Sequence, residues 1–421
     1  MLKRQPNDGV MPKHACLDTH LDLGAMASER APKRPFPRPA DDCDGLGHGE
    51  RGDGDDPRVA SVAGVAMIAL FAGARRHRAR RASLIALALA LVCGGCNPGE
   101  RQRQKKLTLY CSAQIKLCQT LARNFQAHSG IKVAMVRKST GEALAQIRAE
   151  RRSPKADAWW GGTGDGHIQA AKAKLSTSYR SPQLAHVHPW AVDLAQDGEN
   201  RVSGAYMGAL GFGYNRRWLE KARLPPPKGW RDLAKPIYRG EVQMANPNSS
   251  GTAYTVLATV VQLFGEDAGF AYLADLHRNV NQYTKSGAAP IRAAARGETG
   301  IGIVFLHDAH TQVVAGFPIE VVVPEEGTGY EVGGISLIQG GRHPDSAQKF
   351  MDYALSAEAQ SRLAEADAFQ TPSNTASKTP SGAPSVRADQ LIDFDFQTYS
   401  AKATRVRLLK RWDNDIKTGA R

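Results

Sequence analysis

From Leu107 onward the chain alternates between two hydrophobic rhythms. Short runs that are apolar at every second place, or throughout, read as strands; longer runs that are apolar at every third and fourth place read as helices. LTLYCS, residues 107–112, is a strand. LCQTLARNFQAHSG sets Leu117, Leu121 and Phe125 on one helical face and stops at Gly130. IKVAMVR is the next strand, and STGEALAQIRAE opens with the capping-box pair Ser139 and Glu142 and predicts a helix. ADAWWGG is a short buried strand, and TGDGHIQAAKAKL leads into another helix. Such alternation predicts β-α-β units and a parallel sheet. In such sheets ligands bind in the crevice at the strands' C-terminal ends.

The middle of the chain changes style. GAYMGALGFGYN, residues 204–215, reads as a Gly-rich pair of alternating strands. A Pro-rich loop, a short helix and a strand lead to ANPNSSGTAYT, which reads as a strand end, a turn and a helix start. Apolar helices follow at Ala253–Phe264 and Ala268–Leu276. Residues 280–309 read as strand, loop, helix and strand, and residues 319–341 are strand-rich. Two helices within 344–366, a polar loop at 371–384 and a basic helix from Ala401 to Trp412 close the chain. There is no internal repeat and no coiled coil.

The front of the chain is built differently. Residues 1–66 are rich in Pro, Gly, Asp and Arg without sustained periodicity. They read either as a disordered tail or as an extension ahead of a true start near Met67. Residues 67–96 contain a basic cluster, Arg75 to Arg81, an apolar run, Leu84 to Val92, and small residues before Cys96, which is the pattern of an export signal. CGGC resembles a bacterial lipobox with Cys96 as the lipidated residue, although Cys93 stands where Leu is usual. Lipidation, simple cleavage and a retained anchor are all open. The apolar run is too short for a permanent membrane helix.

Composition modifies this picture in two ways. Of six cysteines only Cys111 and Cys118 lie beyond Cys96. In an oxidising compartment they would close a short disulfide loop; buried free thiols are the alternative. The formal charge is +14, of which the first 96 residues supply +3 and the remainder +11. That field favours anionic partners, or serves only solubility. Nucleic-acid motifs are missing and the basic residues are not interleaved with aromatics, so nucleic acid is set aside. No nucleophile elbow, zinc signature or Walker loop is present, and nothing calls for a cofactor.

The stretches LYCSAQIKLCQTLARNFQAHSGIKV, RKSTGEALAQIRAE, ADAWWGGTGD, GALGFGYN, GWRDLAKPIYRGEVQMANPNSSGTAYT, GETGIGIVFLHDA and HPDSAQKFMDYALSAEAQ together resemble the periplasmic solute-binding proteins of ABC importers. The resemblance is to the type II group that serves ferric ion, phosphonates and sugar phosphates, and it runs from about Leu107 to Trp412. It implies an α/β fold of two lobes joined by hinge crossovers, with a ligand cleft between them that closes by hinge motion. On this basis residues 97–205 begin the first lobe, 206–308 form the second with hinge strands at both ends, and 309–421 return to the first. The crossovers are expected near Gly204 to Gly213 and Val304 to Asp308.

Four helix mouths pair a hydroxyl with a glycine near this cleft: Ser139, Thr140 and Gly141; Thr163 with TGDG; Ser249, Ser250, Gly251 and Thr252; and Ser286 with SGAA. A helix start offers free N–H groups and about half a positive charge, and glycine lets an anion approach. Each mouth taken alone is equally an ordinary N-cap. Asp165 and Asp308 could take an amine on a zwitterionic ligand or act only as caps. Trp159, Trp160, Tyr206, Tyr214 and Tyr254 could wall the cleft, with Trp159 the most core-like and Tyr206 in a hinge position. Ferric-binding relatives carry two adjacent tyrosines at the second crossover; here it reads VFLHDAH, with no Tyr-Tyr pair in the chain. His307, Asp308 and His310 form a polar hinge cluster or a site for another cation.

The expected function is therefore capture, not catalysis. A monomeric periplasmic protein binds a small anionic solute, a phosphonate or phosphate ester, and passes it to an inner-membrane permease driven by a cytoplasmic ATPase. Its membrane contact would be confined to a lipid anchor. Ferric-ion binding and service to a sensor system are the alternatives.

Overall fold

The computed structural model describes residues 105–417. The front extension, the export signal and Cys96 lie outside the described residues. The first stretch alternates as expected: β1 (Lys106–Cys111), α1 (Ile115–Ser129), β2 (Lys132–Arg137), α2 (Thr140–Ala149), β3 (Ala158–Thr163), α3 (Gly164–Lys172), β4 (Ser176–Thr177) and α4 (Pro189–Asp197). Gly130 ends α1 with φ +69°, a left-handed cap that costs glycine little. The backbone N–H of Ser139 donates to Glu142 Oε2 at 3.0 Å, the return half of the capping box.

GAYMGALGFGYN is not a strand pair. It lies within one continuous strand, β5 (Ser203–Asn215). The glycines admit close neighbours instead of making a turn. A β-carbon on Gly208 would collide with the His307 ring, and one on Gly211 with Leu306 and the Val322 carbonyl. β5 is the backbone of the molecule. Its first half pairs antiparallel with β10 (Tyr330–Ile338), from Ser203 against Ile335 to Ala209 against Tyr330. Its second half pairs with β8 (Ile301–Phe305) and β9 (Ile319–Val322).

Between these lie α5 (Arg216–Ala222), α6 (Trp230–Leu233), β6 (Val242–Ala245), α7 (Gly251–Phe264), α8 (Glu266–His277), β7 (Val280–Thr284), α9 (Ala289–Arg296) and, after β8, α10 (Leu306–Val314). The last stretch holds α11 (Pro344–Ala354), α12 (Ala357–Ser361), β11 (Thr371–Pro372), α13 (Phe396–Ser400) and α14 (Lys402–Arg411). The strand order is β2-β1-β3-β10-β5-β8-β6-β7, with β4, β9 and β11 off this path. β1 pairs parallel with β2 and β3, and β6 pairs parallel with β7 and β8.

Two cores follow from this arrangement. Leu109, Phe125, Ile131, Ile335 and Phe350 pack on one side of the β5 midpoint, and Phe212, Trp230, Leu257, Ile301 and Trp412 on the other. These are the two lobes. The expected lobe boundaries need two corrections. The chain does not leave the second lobe at 309, because β9 fills the open edge of β5 beside Phe212 and Tyr214 before β10 returns to the first sheet. The basic C-terminal helix does not close the first lobe either: Leu408, Trp412 and Ile416 are buried in the second core.

Candidate functional site

The C-terminal ends of the strands face a cleft between the lobes, lined by residues of both. β1 ends at Cys111, and Cys111 is disulfide-bonded to Cys118, with 6.0 Å between their Cα atoms. The bridge closes the loop that brings Ser112, Ala113 and Gln114 to the cleft. β2 ends at Arg137, whose guanidinium donates to the Ser139 hydroxyl at 3.1 Å, the Ser286 hydroxyl at 3.2 Å and the Ala113 carbonyl at 3.2 Å. Burial lowers the Arg137 pKa from its usual value, and no carboxylate of the described residues pairs with it. β3 ends in Gly161 and Gly162, at φ +76° and +82°. That left-handed pair turns the chain into α3 and lets Gly162 N donate to the Tyr206 hydroxyl at 3.0 Å.

From the second lobe, β6 ends at Ala245 and a tight turn leads to Ser250. Ser250 caps α7, its Oγ accepting from Ala253 N at 3.3 Å. The first turns of α2, α3 and α7 and the loop before α9 meet here. A β-carbon on Gly251 would collide with Thr163 and Thr140, and one on Gly287 with Thr252. The Thr163 hydroxyl is buried and makes no hydrogen bond of standard geometry to protein, although Asp165 lies close enough to feel it. One wall is thus dense in hydroxyls, backbone N–H groups and the Arg137 cation. It suits an anion.

Another part of the same cleft is acidic. His307 Nε2 lies 3.8 Å from Asp308 Oδ1 and 3.7 Å from Glu331 Oε1, and all three residues are buried. Burial pushes the Glu331 carboxyl well above the usual carboxylate range, and the Asp308 and Asp165 charges add to the effect. Burial lowers the His307 imidazole, favouring its neutral form. Gln114 donates to Asp308 from the opposite lobe. Carboxyl, imidazole and amide groups together form a mixed donor–acceptor set, as sugar hydroxyls require.

Of the expected site residues, Ser139, Thr140, Thr163, Tyr206, Ser250, Gly251, Thr252 and Asp308 line this cleft. Four do not. Gly141 and Ser249 meet each other instead, Gly141 N donating to the Ser249 carbonyl at 3.0 Å where the lobes touch. Ser286 is not a helix start, because α9 begins at Ala289 with Pro290 in its first turn; its hydroxyl accepts from Arg137. Asp165 does not line the cleft and pairs with Arg405.

Among the aromatics only Tyr206 lines the cleft as expected. Trp160 is buried in the first core, Trp159 stacks on His167 at 3.7 Å, and Tyr214 and Tyr254 belong with the second core. Phe305 lines the cleft unannounced. His310 stands apart, its ring against Phe369 at 4.7 Å, so VFLHDAH does not gather three ligands. Among the described residues no group of three or more His, Cys, Asp or Glu side chains is arranged to hold a metal ion. Burial also raises the Tyr206 phenol well above its ordinary value. Sequence reading missed Gln114, Arg137, Glu331 and Gln370 at the site. Arg137 alone had a signal, as a charged residue at a strand's C-terminal end.

The family model for bacterial extracellular solute-binding proteins matches residues 165–398, more than half of the chain. The chain belongs to that family. This solute-binding protein is similar to a protein of Haemophilus influenzae described only as uncharacterized, 42% identical over 330 residues, covering 78% of this chain and 95% of that one. It is 26% identical over 250 residues to a putative 2-aminoethylphosphonate-binding periplasmic protein of Salmonella paratyphi A, covering 57% of this chain and 69% of the relative. The solved structure of the periplasmic binding protein AfuA from Actinobacillus pleuropneumoniae, with exogenous fructose-6-phosphate bound, superimposes with a TM-score of 0.73. That match is 43% identical and covers 75% of this chain and 99% of AfuA. The fold is thereby the type II periplasmic-binding-protein fold, and the family is one of solute binders, not of enzymes.

Proposed function

We propose that this protein captures a sugar phosphate in the periplasm and delivers it to an ABC permease. The observation that carries the reading is the two-part cleft: an anion wall of hydroxyls, helix N-termini and Arg137, and a buried set of Glu331, His307 and Asp308 in the same cavity. A phosphate monoester of a polyol satisfies both parts. The fructose-6-phosphate in AfuA supports the same class. A 2-aminoalkylphosphonate is the second reading, because Asp308 could face its ammonium. Glu331 argues against it, since a carboxyl favoured in its neutral form stabilises a hydroxyl better than a cation.

The test separates the two parts. Ser250→Ala with Thr252→Ala weakens binding of fructose 6-phosphate by about tenfold or more, roughly 1.4 kcal/mol or above. Asp308→Asn weakens fructose 6-phosphate but leaves inorganic phosphate unchanged. If both variants bind fructose 6-phosphate as the parent does, the two-part cleft is not the ligand site.

A further inference from the structure

Arg405 is the one strongly basic side chain that the C-terminal helix α14 carries into the interior, where it is 5% exposed. Its guanidinium donates to Asp165 and lies 3.9 Å from the centroid of the Tyr254 ring. Asp165 is in the first turn of α3 and Tyr254 in the first turn of α7. Those two helices come from different lobes, and their N-terminal residues, Thr163 on one and Ser250 to Thr252 on the other, form the anion wall. A single cation therefore grips both helix starts from behind.

We propose that Arg405 is a positioning residue for the anionic ligand, holding the first turns of α3 and α7 together and neutralising Asp165 so that no bare carboxylate stands behind the anion wall. The inference rests on the anion-binding reading for its charge component, while the grip on the helices stands apart from it. Asp165 is buried, and Arg405 is its ion-pair partner in the structure; burial raises the carboxyl's pKa and the Arg405 cation opposes that rise, favouring the charged form. A small second cavity, walled by Thr163, Asp165, Tyr254, Glu331 and Ser400, backs onto the ligand cleft; Thr163 and Glu331 line both. The Asp165 charge is thus one residue's thickness from the donors that would hold the anion. In so dry a setting an unpaired charge acts strongly on its neighbours. The grip extends further, because the Tyr254 hydroxyl donates to the Tyr399 carbonyl at 2.7 Å, on the α13 segment that leads into α14.

The experiment uses the full chain with Arg405→Met, Arg405→Lys, Asp165→Asn and the double variant Arg405→Met/Asp165→Asn. Amide hydrogen exchange of the free protein reads the grip. In Arg405→Met the first turns of α3 and α7 exchange faster together, by about tenfold or more, with the rest of both lobes unchanged. Calorimetric titration with fructose 6-phosphate reads the charge. Arg405→Met binds about tenfold or more weakly, Arg405→Lys and Asp165→Asn stay within a few fold of the parent, and the double variant regains most of the loss. Exchange that rises in only one helix, or in neither, overturns the grip. A double variant that binds as weakly as Arg405→Met overturns the role through Asp165. If the parent binds neither fructose 6-phosphate nor inorganic phosphate, the anion reading and the charge component fall together, and the exchange result alone decides the grip.

Discussion

At the residue scale the site depends on what is missing as much as on what is present. Gly251 has no β-carbon, so Thr163 and Thr140 can come in close to the start of α7. Gly251→Ala should force these hydroxyls apart and weaken sugar-phosphate binding by about tenfold or more, with a smaller loss of stability; titration beside thermal melting checks both. Glu331 supplies a pH test. Its folded pKa lies well above the ordinary 4.5, so the native state holds its proton more tightly than the unfolded chain does. The stabilising contribution is full below pH 4.5 and is lost as pH rises through the folded pKa. Glu331→Gln cannot lose a proton, so its stability relative to the parent should improve as pH rises from 4.5 towards the folded pKa and level off above it. Denaturant melts of both proteins across the range measure the slope, and parallel profiles would remove Glu331 from the titrating groups. Ser139, Thr140, Thr163 and Ser250 to Thr252, which line the cleft, could be picked out in the sequence as hydroxyls and glycine at strand-to-helix turns, although each such turn alone reads equally as an ordinary N-cap. Asp165 kept two readings, ligand contact or cap, because an acid in a helix's first turn looks the same whether it faces a ligand, its own backbone or an arginine 240 positions away.

At the element scale the disulfide and β5 carry the consequences. The bridge between Cys111 and Cys118 pins the loop that holds Gln114 against Asp308. By loop closure it is worth about 2–3 kcal/mol of stability. Cys111→Ala with Cys118→Ala should lose that amount in denaturant melts and also weaken ligand binding; a stability loss without a binding loss would confine the bridge to folding. The helices and strands were readable from their two periods, and the bridge was one of two open alternatives. β5 was not readable as one strand. Its glycines look like turn punctuation, whereas each makes room for a neighbour such as His307 that lies far along the chain. The position of Glu331 was hidden for the same reason, since which face of β10 meets the cleft depends on its antiparallel pairing with β5 and β3.

At the scale of the whole molecule the lobes touch along the cleft mouth. Gly141 N meets the Ser249 carbonyl at 3.0 Å, and the Ser139 hydroxyl donates to the Lys285 carbonyl at 3.0 Å. A β-carbon on Gly141 would press on the Asn248 and Ser249 carbonyls, which are backbone and cannot step aside. Gly141→Val should hold the lobes apart, leaving the radius of gyration unchanged on adding fructose 6-phosphate, while the parent contracts; small-angle scattering reads the difference. Family membership and the two-lobed plan were legible from the order of the motifs, but the path of the C-terminal helix into the second lobe was not, because its burial rests on Leu408, Trp412 and Ile416, too few for a clear stripe.

The central claim is that one cleft holds a phosphate and a polyol together, and calorimetric titration of the full chain tests it most directly. Fructose 6-phosphate, fructose, inorganic phosphate, 2-aminoethylphosphonate and Fe(III) are each added to the same preparation. The account predicts that fructose 6-phosphate binds at least about a hundredfold more tightly than fructose or phosphate alone, with the phosphonate well behind. Equal or tighter binding of 2-aminoethylphosphonate, or of Fe(III), would contradict it.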